Sequence, residues 1–305
     1  MISINEIKHR LPDKFMEELY ENYSPIEVDN ILIGMNQDRY TTLRVNTLKY
    51  DIHSLMNYFK EKNIKFERVP WYKDALIIKN AKEKDIQKLD IYEKGYIYLQ
   101  SLSSMVPPIV LNPKPSESVL DVAAAPGSKT TQLAAIMDNK GKILANELDK
   151  IRFERLKYNI DSQGATIVET INKRGEVLGT IYEEQFDKVL LDTPCSGEGR
   201  FIATSTATYR NWSEKTVKDL VKLQKKLIQS AAKALKPRGE LVYSTCTINK
   251  HENEEIIEYA INELGLKLIN IDLEIKDAIR IKEKAIKILP SKTMEGFFIA
   301  KFVKK

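Results

Sequence analysis

The segment SVLDVAAAPGSKTTQLAAIM, residues 118–137, decides the fold that we predict for this chain. A short apolar run is followed by small residues, then by a Pro-Gly turn, and then by a helix-like stretch. Apolar runs of this kind are typical of parallel strands that are covered on both faces of a sheet. The order of strand, turn and helix therefore predicts the first unit of a doubly wound α/β fold.

The same alternation continues towards the C-terminus. Further short apolar runs are KILAN (142–146), TIVETI (166–171), DKVLLD (187–192) and ELVYSTC (240–246). Amphipathic segments lie between them, and one, which stops before Pro237, carries a stripe made of Leu220, Leu223, Leu227, Ala231 and Ala234. We therefore predict a doubly wound, Rossmann-like α/β domain over residues 95–305. The mixed helix-like and strand-like segments before it predict a smaller α+β domain over residues 1–94.

The composition indicates the cellular compartment and the kind of partner more than it indicates the activity. The formal charge of +5 suits a polyanion such as nucleic acid, although a Lys-rich solvated surface explains it equally well. No apolar stretch approaches the roughly 20 residues that span a bilayer, and the N-terminus lacks a signal-peptide pattern. We expect a cytoplasmic protein that does not bind membranes, in which two cysteines indicate chemistry, or nothing, rather than a disulfide.

The loop at residues 123–128 has the features of a ligand loop. Ligands of doubly wound sheets bind beyond the carboxyl ends of the strands, where small residues let the backbone approach closely. Glu147 ends the next strand, where its carboxylate can accept hydrogen bonds from ribose hydroxyls. The same residues are also compatible with a plain helix-capping turn and a surface acid, although Asp149 is the better cap for the following helix.

The number and spacing of the glycines in this loop bear on which ligand it binds. A P-loop ATPase is a competitor, but Ala123 stands where its first glycine should be, and Ser128 separates Gly127 from Lys129. The dinucleotide pattern G-x-G-x-x-G is also missing. S-adenosylmethionine has no phosphates to cradle, so a loop with one glycine suits it better.

Cys195 and Cys246 both follow carboxyl ends of predicted strands, on the side where the ligand loop opens. A buried structural role is the commonest fate of a cysteine, but two in such places favour catalysis. A thiolate that adds to carbon 6 of cytosine makes carbon 5 nucleophilic enough to take a methyl group. Asp192, at the end of one strand, has the chemistry to stabilise that adduct. By chemistry alone, either thiol is a plausible nucleophile.

Several motifs occur in the order typical of one family. They are RVNTLK (44–49), YLQSLSSMVPP (98–108), DVAAAPGSKT (121–130), LLDTPCSGEG (190–199), LVYSTCT (241–247), HENEE (251–255) and EGFFIAKF (295–302). At these residues the sequence resembles the RNA 5-methylcytosine methyltransferases of the Nop/Sun (Fmu) group. The resemblance implies S-adenosylmethionine-dependent methylation of cytosine carbon 5 in a tRNA or an rRNA. It also implies that the N-terminal domain is an RNA-recognition-like module.

The resemblance assigns a role to each matching position. Cys246 becomes the nucleophile, Cys195 acts in releasing the methylated product, and Asp192 lies near both cofactor and cytosine. The implied cofactor-binding positions are Ala124, Ala125, Pro126, Gly127, Ser128, Lys129, Thr130, Glu147, Arg174 and Asp192, and no residue is assigned to a metal.

Arg174 departs most from the family pattern. It stands where an acid usually contacts adenine, and a cation cannot accept a hydrogen bond from the adenine amine. Asn172 or Glu176 are the candidate substitutes. Ser128 in place of a second glycine is a milder change, and Thr193 and Arg238 look harmless. The Arg174 departure motivates the alternative of a methyltransferase-like RNA-binding or ribosome-assembly factor without cofactor turnover.

The expected partner is RNA, with the target cytosine flipped out of its stack, bound by a monomer. Basic residues hold phosphates, and aromatic residues stack on unpaired bases. The first candidates for RNA contact are Arg44, Lys49, Lys60, Lys62, Lys65, Arg68 and Lys73 with Tyr50, Tyr58, Phe59, Phe66, Trp71 and Tyr72, although we expect most of these aromatics in the core. The second candidates are Arg200, Tyr209, Arg210 and Trp212.

Overall fold

A computed structural model describes residues 2–276 and 278–305 of the chain. Its α-helices are α1 (Ile4–Arg10), α2 (Asp13–Asn22), α3 (Pro25–Met35), α4 (Ile52–Glu61), α5 (Glu83–Ile86), α6 (Asp90–Glu93), α7 (Leu102–Leu111), α8 (Ser128–Ile136), α9 (Lys150–Gln163), α10 (Leu178–Ile181), α11 (Glu214–Ala234) and α12 (Glu254–Asn262). Its strands are β1 (Thr41–Val45), β2 (Phe66–Val69), β3 (Tyr72–Ile78), β4 (Ile97–Leu99), β5 (Ser118–Asp121), β6 (Lys142–Asn146), β7 (Val168–Ile171), β8 (Phe186–Asp192), β9 (Leu235–Thr245), β10 (Lys267–Ile269), β11 (Ile279–Ile281), β12 (Ala285–Ile288) and β13 (Phe297–Val303).

The larger sheet has the strand order β11-β12-β13-β9-β8-β5-β6-β7, and β10 pairs with β13. Strands β7, β6, β5, β8 and β9 are parallel, whereas β13 runs antiparallel to β9. The predicted doubly wound, Rossmann-like α/β class is confirmed. The chain runs from β5 outward through β6 to β7 and then returns to the other side of β5 to form β8. The reversal creates a crevice beyond the carboxyl ends of β5 and β8, where such folds bind ligands.

The smaller sheet is antiparallel, with the order β2-β3-β1-β4. Its core contains Leu43, Leu76 and the helix residues Leu55 and Phe59 from α4. Strand β4 pairs with β1 and lies beyond Lys94, so our predicted boundary at residues 94 and 95 falls within the segment that this sheet uses.

The three N-terminal helices pack on the segment that connects β8 to α11. Phe15 of α2 lies with its ring centroid 5.1 Å from that of Phe201 and 5.6 Å from that of Trp212. Capping fixes where the helices begin, as in α3, where Ser24 and Glu27 form a reciprocal capping box. The long helix α11 ends before Pro237, as its sequence predicts. Within the described residues, we find no helix with both the length and the apolarity needed to cross a membrane.

Candidate active site

A cleft of about 1150 Å³ opens at the crevice between β5 and β8. Three loops of the larger sheet contribute to its wall, one after β5, one after β8 and one after β9. The N-terminal sheet adds residues near the end of β4, and the start of β13 closes another side. The lining residues include Ala123, Ala125, Pro126, Ser128, Lys129, Asp192, Thr193, Pro194, Cys195, Arg200, Cys246, Glu295 and Phe297.

The loop after β5 is held in one conformation by side chains from two helices. Gly127 has a φ of 103° and caps the start of α8, a backbone conformation that favours glycine. Arg152 donates to the carbonyl oxygen of Ala125 at 2.7 Å, and Asn159 donates to that of Pro126 at 2.7 Å. Thr131 donates to the carbonyl oxygen of Gly127 at 2.7 Å. These three hydrogen bonds therefore fix the backbone of the loop.

Asp121, the last residue of β5, is buried beneath this loop. Burial raises the pKa of its carboxyl to about 7, although a hydrogen bond from Thr130 at 2.7 Å opposes the rise. Thr130 is itself fully buried. This residue of the predicted cofactor set therefore supports the loop from below rather than facing the cleft.

Lys129 and Asp192 form an ion pair on the floor of the cleft. Their Nζ and Oδ2 atoms lie 2.8 Å apart. Lys129 also donates to Ser104 Oγ at 2.7 Å, and Ser244 donates to Asp192 Oδ1 at 2.8 Å. Both carboxylate oxygens are thus held by donors, which fixes the orientation of Asp192 while about a quarter of its side chain, 28%, stays exposed to the cleft.

The two thiols lie side by side, with 3.2 Å between the Sγ atoms of Cys195 and Cys246. The hydrogen bond from Cys195 lowers the pKa of Cys246, and the charge of Arg200 lowers it further, against the opposing effect of burial. The same hydrogen bond, together with burial, raises the pKa of Cys195 well above its usual value. Of the two thiols, Cys246 is therefore the one that loses its proton more readily, a distinction that residue chemistry alone left open.

Backbone hydrogen bonds tie the cysteine loops to β13. Gly199 donates to the carbonyl oxygen of Cys246 at 3.1 Å, and Gly296 donates to that of Gly199 at 2.9 Å. Glu252 fixes the other side, because its carboxylate accepts from the backbone N–H of Ser196 at 3.0 Å. Glu252 belongs to the motif at residues 251–255, but nothing in the sequence shows that it reaches this loop, so no role was predicted for it.

Glu147 lies at the end of β6 and is almost fully buried. Its Oε1 accepts from the backbone N–H of Asp149 at 2.9 Å. Its Oε2 is buried with no hydrogen-bond donor among residues 2–276 and 278–305, and the nearest charged group, Arg152, lies 3.6 Å away. Asp149 caps α9 as predicted. The remaining oxygen of Glu147 therefore keeps its capacity to accept a hydrogen bond, although Glu147 is not among the residues that line the cleft.

Arg174 does not join the other predicted cofactor positions. Its side chain is 68% exposed and pairs with Glu176 at 2.7 Å. Asn172, the other candidate substitute, donates to the carbonyl oxygens of Glu147 and Leu148 at 2.6 and 2.8 Å. The positive charge that raised doubt about adenine binding is thus neutralised at the surface.

Several candidates for RNA contact are wrong because they are buried. Arg44 and Phe59 are 0% exposed, Tyr209 is 4% exposed, and Trp212 is 9% exposed and donates to Glu198. Of the six N-terminal aromatics, Phe59 is buried in the core, and the other five are half-buried and pack against it, so the expectation that most belong to the core is met only in part. The basic candidates that remain exposed are Lys49, Lys60, Lys62, Lys65, Arg68, Lys73, Arg200 and Arg210.

Comparison with known proteins covers nearly the whole chain. Residues 108–303 match the family model described as 16S rRNA methyltransferase RsmB/F, and residues 11–102 match that of the N-terminal domain of 16S rRNA methyltransferase RsmF. A tRNA (cytosine(49)-C(5))-methyltransferase of Pyrococcus abyssi is 37% identical, over 95% of this chain and 97% of its own length. The ribosomal RNA small subunit methyltransferase F of Shewanella oneidensis is 35% identical over 99% of this chain, which spans only 62% of that protein.

Solved structures agree with the sequence comparisons. A methyltransferase homolog protein from Pyrococcus horikoshii superposes with a TM-score of 0.82 and 31% identity, over 97% of this chain and 100% of that one. NSun6 from the same organism gives a TM-score of 0.85 and 26% identity, over 97% and 99% of the two chains. This chain therefore belongs to the RsmB/F (Sun/Fmu) family of RNA methyltransferases.

Proposed function

We propose that this chain transfers the methyl group of S-adenosylmethionine to carbon 5 of a cytosine in a tRNA or an rRNA, through a covalent adduct with Cys246. The observation that carries the proposal is the Cys195–Cys246 pair, 3.2 Å apart, in a cleft that also holds Asp192 and the loop after β5. The names of the relatives, which include tRNA and rRNA methyltransferases, support RNA as the substrate.

The residues present fit S-adenosylmethionine, which when bound supplies a methyl group on a sulfonium. Residues 124–129 would surround it, with Thr130 supporting them from below. The Oε2 of Glu147, which has no hydrogen-bond donor among the described residues, would accept a hydrogen bond from a ribose hydroxyl. Asp192 faces the same cleft. For adenine we propose Glu176 or Asn172 in place of an acid at Arg174.

The thiolate of Cys246 would form a bond to carbon 6 of the flipped cytosine. The ring electrons would then bond carbon 5 to the methyl group, and the bond between that methyl group and the sulfonium sulfur would break, with its electron pair staying on the sulfur. Asp192, held by Lys129 and Ser244, would accept a hydrogen bond from the cytosine N4 amine and so stabilise the adduct.

Release of the product needs the proton on carbon 5 to leave. Once Cys246 is bound to carbon 6, its hydrogen bond and its charge no longer raise the pKa of Cys195, and Cys195 would release its proton to water in the cleft. Cys195, as thiolate, would take the carbon 5 proton while the bond from Sγ of Cys246 to carbon 6 breaks, and that electron pair would return to Cys246.

Alanine variants of the two cysteines should have different effects, which provides a test. In an assay with methyl-labelled S-adenosylmethionine and total RNA, we expect Cys246→Ala to reduce the rate of RNA methylation by a factor of about 10⁴ or more. We expect Cys195→Ala to accumulate a protein–RNA adduct that survives a denaturing gel. Full activity of Cys246→Ala would refute the assigned nucleophile.

Calorimetry with S-adenosylmethionine separates this proposal from an RNA-binding or ribosome-assembly factor. The enzyme should bind the cofactor in the micromolar range that is usual for substrates. No heat of binding at millimolar cofactor would overturn the proposed function in favour of the binding factor.

A further inference from the structure

Arg44, in β1 of the smaller sheet, is a fully buried cation, with 0% of its surface exposed. Burial lowers the pKa of its guanidinium. Within the described residues it makes no salt bridge, and its Nη1 has no hydrogen-bond partner. Its ring contact is with Tyr98, whose centroid lies 5.0 Å from Cζ. The side chain is therefore held by neutral groups alone.

Two of the three acceptors of Arg44 lie in the first turn of α8, directly after the loop that follows β5. Its Nη2 donates to the carbonyl oxygen of Ser128 at 3.1 Å and to Oγ1 of Thr131 at 2.8 Å. Thr131 links Arg44 to the loop after β5, because its hydroxyl also donates to the carbonyl oxygen of Gly127 at 2.7 Å. Nε of Arg44 donates to Oε1 of Gln100 at 2.9 Å, which fixes the guanidinium plane.

We infer that Arg44 is a positioning residue for cofactor binding, through which the N-terminal sheet sets the conformation of the loop after β5. The inference rests on the proposed function, since it takes S-adenosylmethionine as the ligand of that loop. It makes the affinity for the cofactor depend on a residue outside the Rossmann-like sheet.

Stability alone is a poor explanation for Arg44. Removing a guanidinium from water is costly, and well-packed apolar residues often replace buried charges with no loss of stability. Arg44→Met would retain most of the apolar packing on Tyr98 but would lose the hydrogen bonds to Ser128 and Thr131. Cofactor affinity should therefore respond more strongly than stability does.

The test measures the dissociation constant of S-adenosylmethionine by calorimetry, and thermal unfolding alongside it. Arg44→Met loses both hydrogen bonds from the charged guanidinium to α8, together with the one to Gln100, so we expect it to weaken binding about tenfold or more. Thr131→Val removes the acceptor of one of these hydrogen bonds, on α8, and should also weaken cofactor binding. RNA affinity, measured without cofactor, should change by less than about threefold.

Asn46 provides the matched control. It is a buried polar residue just after β1, and it donates to the carbonyl oxygens of Gly95 and Gln163 rather than to the loop. Asn46→Ala should lower the melting temperature but leave cofactor affinity within about twofold of wild type.

Unchanged affinity in both Arg44→Met and Thr131→Val would overturn the inference, as would an equal loss in Asn46→Ala. In either case the proposed function would still stand, because wild type would bind the cofactor. A wild-type chain that binds none would instead overturn the proposed function, and this inference with it.

Discussion

At the scale of single residues, Glu198, in the loop after β8, has a carboxyl group with an unusually high pKa. It is buried two residues before Arg200, and its Oε1 accepts from Trp212 and from Asn249. Burial raises the pKa of its carboxyl to about 7, and the charge of Glu252 adds to the rise. Its charge state therefore changes near neutral pH.

The first prediction concerns pH and Glu198→Gln. Because the folded-state pKa lies above the usual 4.5, the native state favours the protonated carboxyl. Its contribution to stability is present below about pH 4.5 and is lost as the pH rises through about 7. Glutamine does not titrate, and its single carbonyl oxygen can accept both hydrogen bonds. The free energy of unfolding of the variant relative to wild type should therefore rise by up to about 3 kcal/mol between pH 5 and pH 8.

Urea unfolding at the two pH values measures this difference. Glu154→Gln, on the exposed face of α9, is the control and should change stability by less than about 0.5 kcal/mol at either pH. An equal effect of Glu198→Gln at pH 5 and pH 8 would show that the native carboxyl titrates normally.

At the scale of elements, the cysteine loop after β8 and the turn before β13 touch through two glycines. A Cβ built on Gly199 would lie 1.9 Å from the carbonyl oxygen of Gly296. That spacing leaves no room for a side chain. It also lets Gly199 bond to both Cys246 and Gly296, so the reactive strand end depends on this approach.

The second prediction is that Gly199→Ala separates the two segments. We expect a loss of about 3 kcal/mol or more in the free energy of unfolding and a fall in kcat of at least tenfold. Gly265→Ala is the control, since Gly265 has a φ of 66° but open space around its Cβ. It should lose about 1 kcal/mol through backbone strain and keep its kcat. Equal kcat values for the two variants would contradict the prediction.

At the scale of the molecule, the N-terminal helices and the catalytic sheet share a hydrophobic core. Phe15 and Leu19 of α2 belong to the same cluster as Phe201, Trp212 and Ile248. The segment between β8 and α11 therefore gains its order from a part of the chain that is remote in sequence.

The third prediction tests this shared core with Phe15→Ala. Removing a buried phenylalanine should cost about 3–5 kcal/mol and loosen the segment that carries Arg200. We therefore expect a lower melting temperature and a higher KM for RNA. Tyr20→Ala, at a position in α2 that is 47% exposed, should change stability by less than about 1 kcal/mol. Similar losses in the two variants would show that α2 does not pack as described.

The periodicity of the sequence was sufficient for the five parallel strands of the larger sheet and for the strand ends that carry the site, but it did not reveal the antiparallel strands β10, β11 and β12. The apolar runs predicted β5, β8 and β9, and parallel strands bring their carboxyl ends to one edge. Asp192, Cys195 and Cys246 follow from that rule. Their relative charges did not, because the lowered pKa of Cys246 depends on a 3.2 Å contact and on Arg200.

Burial of polar and aromatic residues was harder to predict. Arg44 looked like an RNA contact because the sequence shows its charge but not the acceptors on α8 that allow its burial. Tyr209 and Trp212 lie in an irregular segment, where no periodicity shows which side chains point inward. The three-residue strand β4 was too short to reveal itself by alternation.

The contact between Cys195 and Cys246 also makes the two side chains a single titrating unit. A thiol reagent such as iodoacetamide should therefore alkylate one cysteine per molecule rather than two. Its first equivalent would modify Cys246, and the bulk of the added group would then shield Cys195 from a second. The same contact means that Cys195→Ala also removes the donor that acidifies Cys246, so adduct formation in that variant should slow at neutral pH and recover in more alkaline buffer.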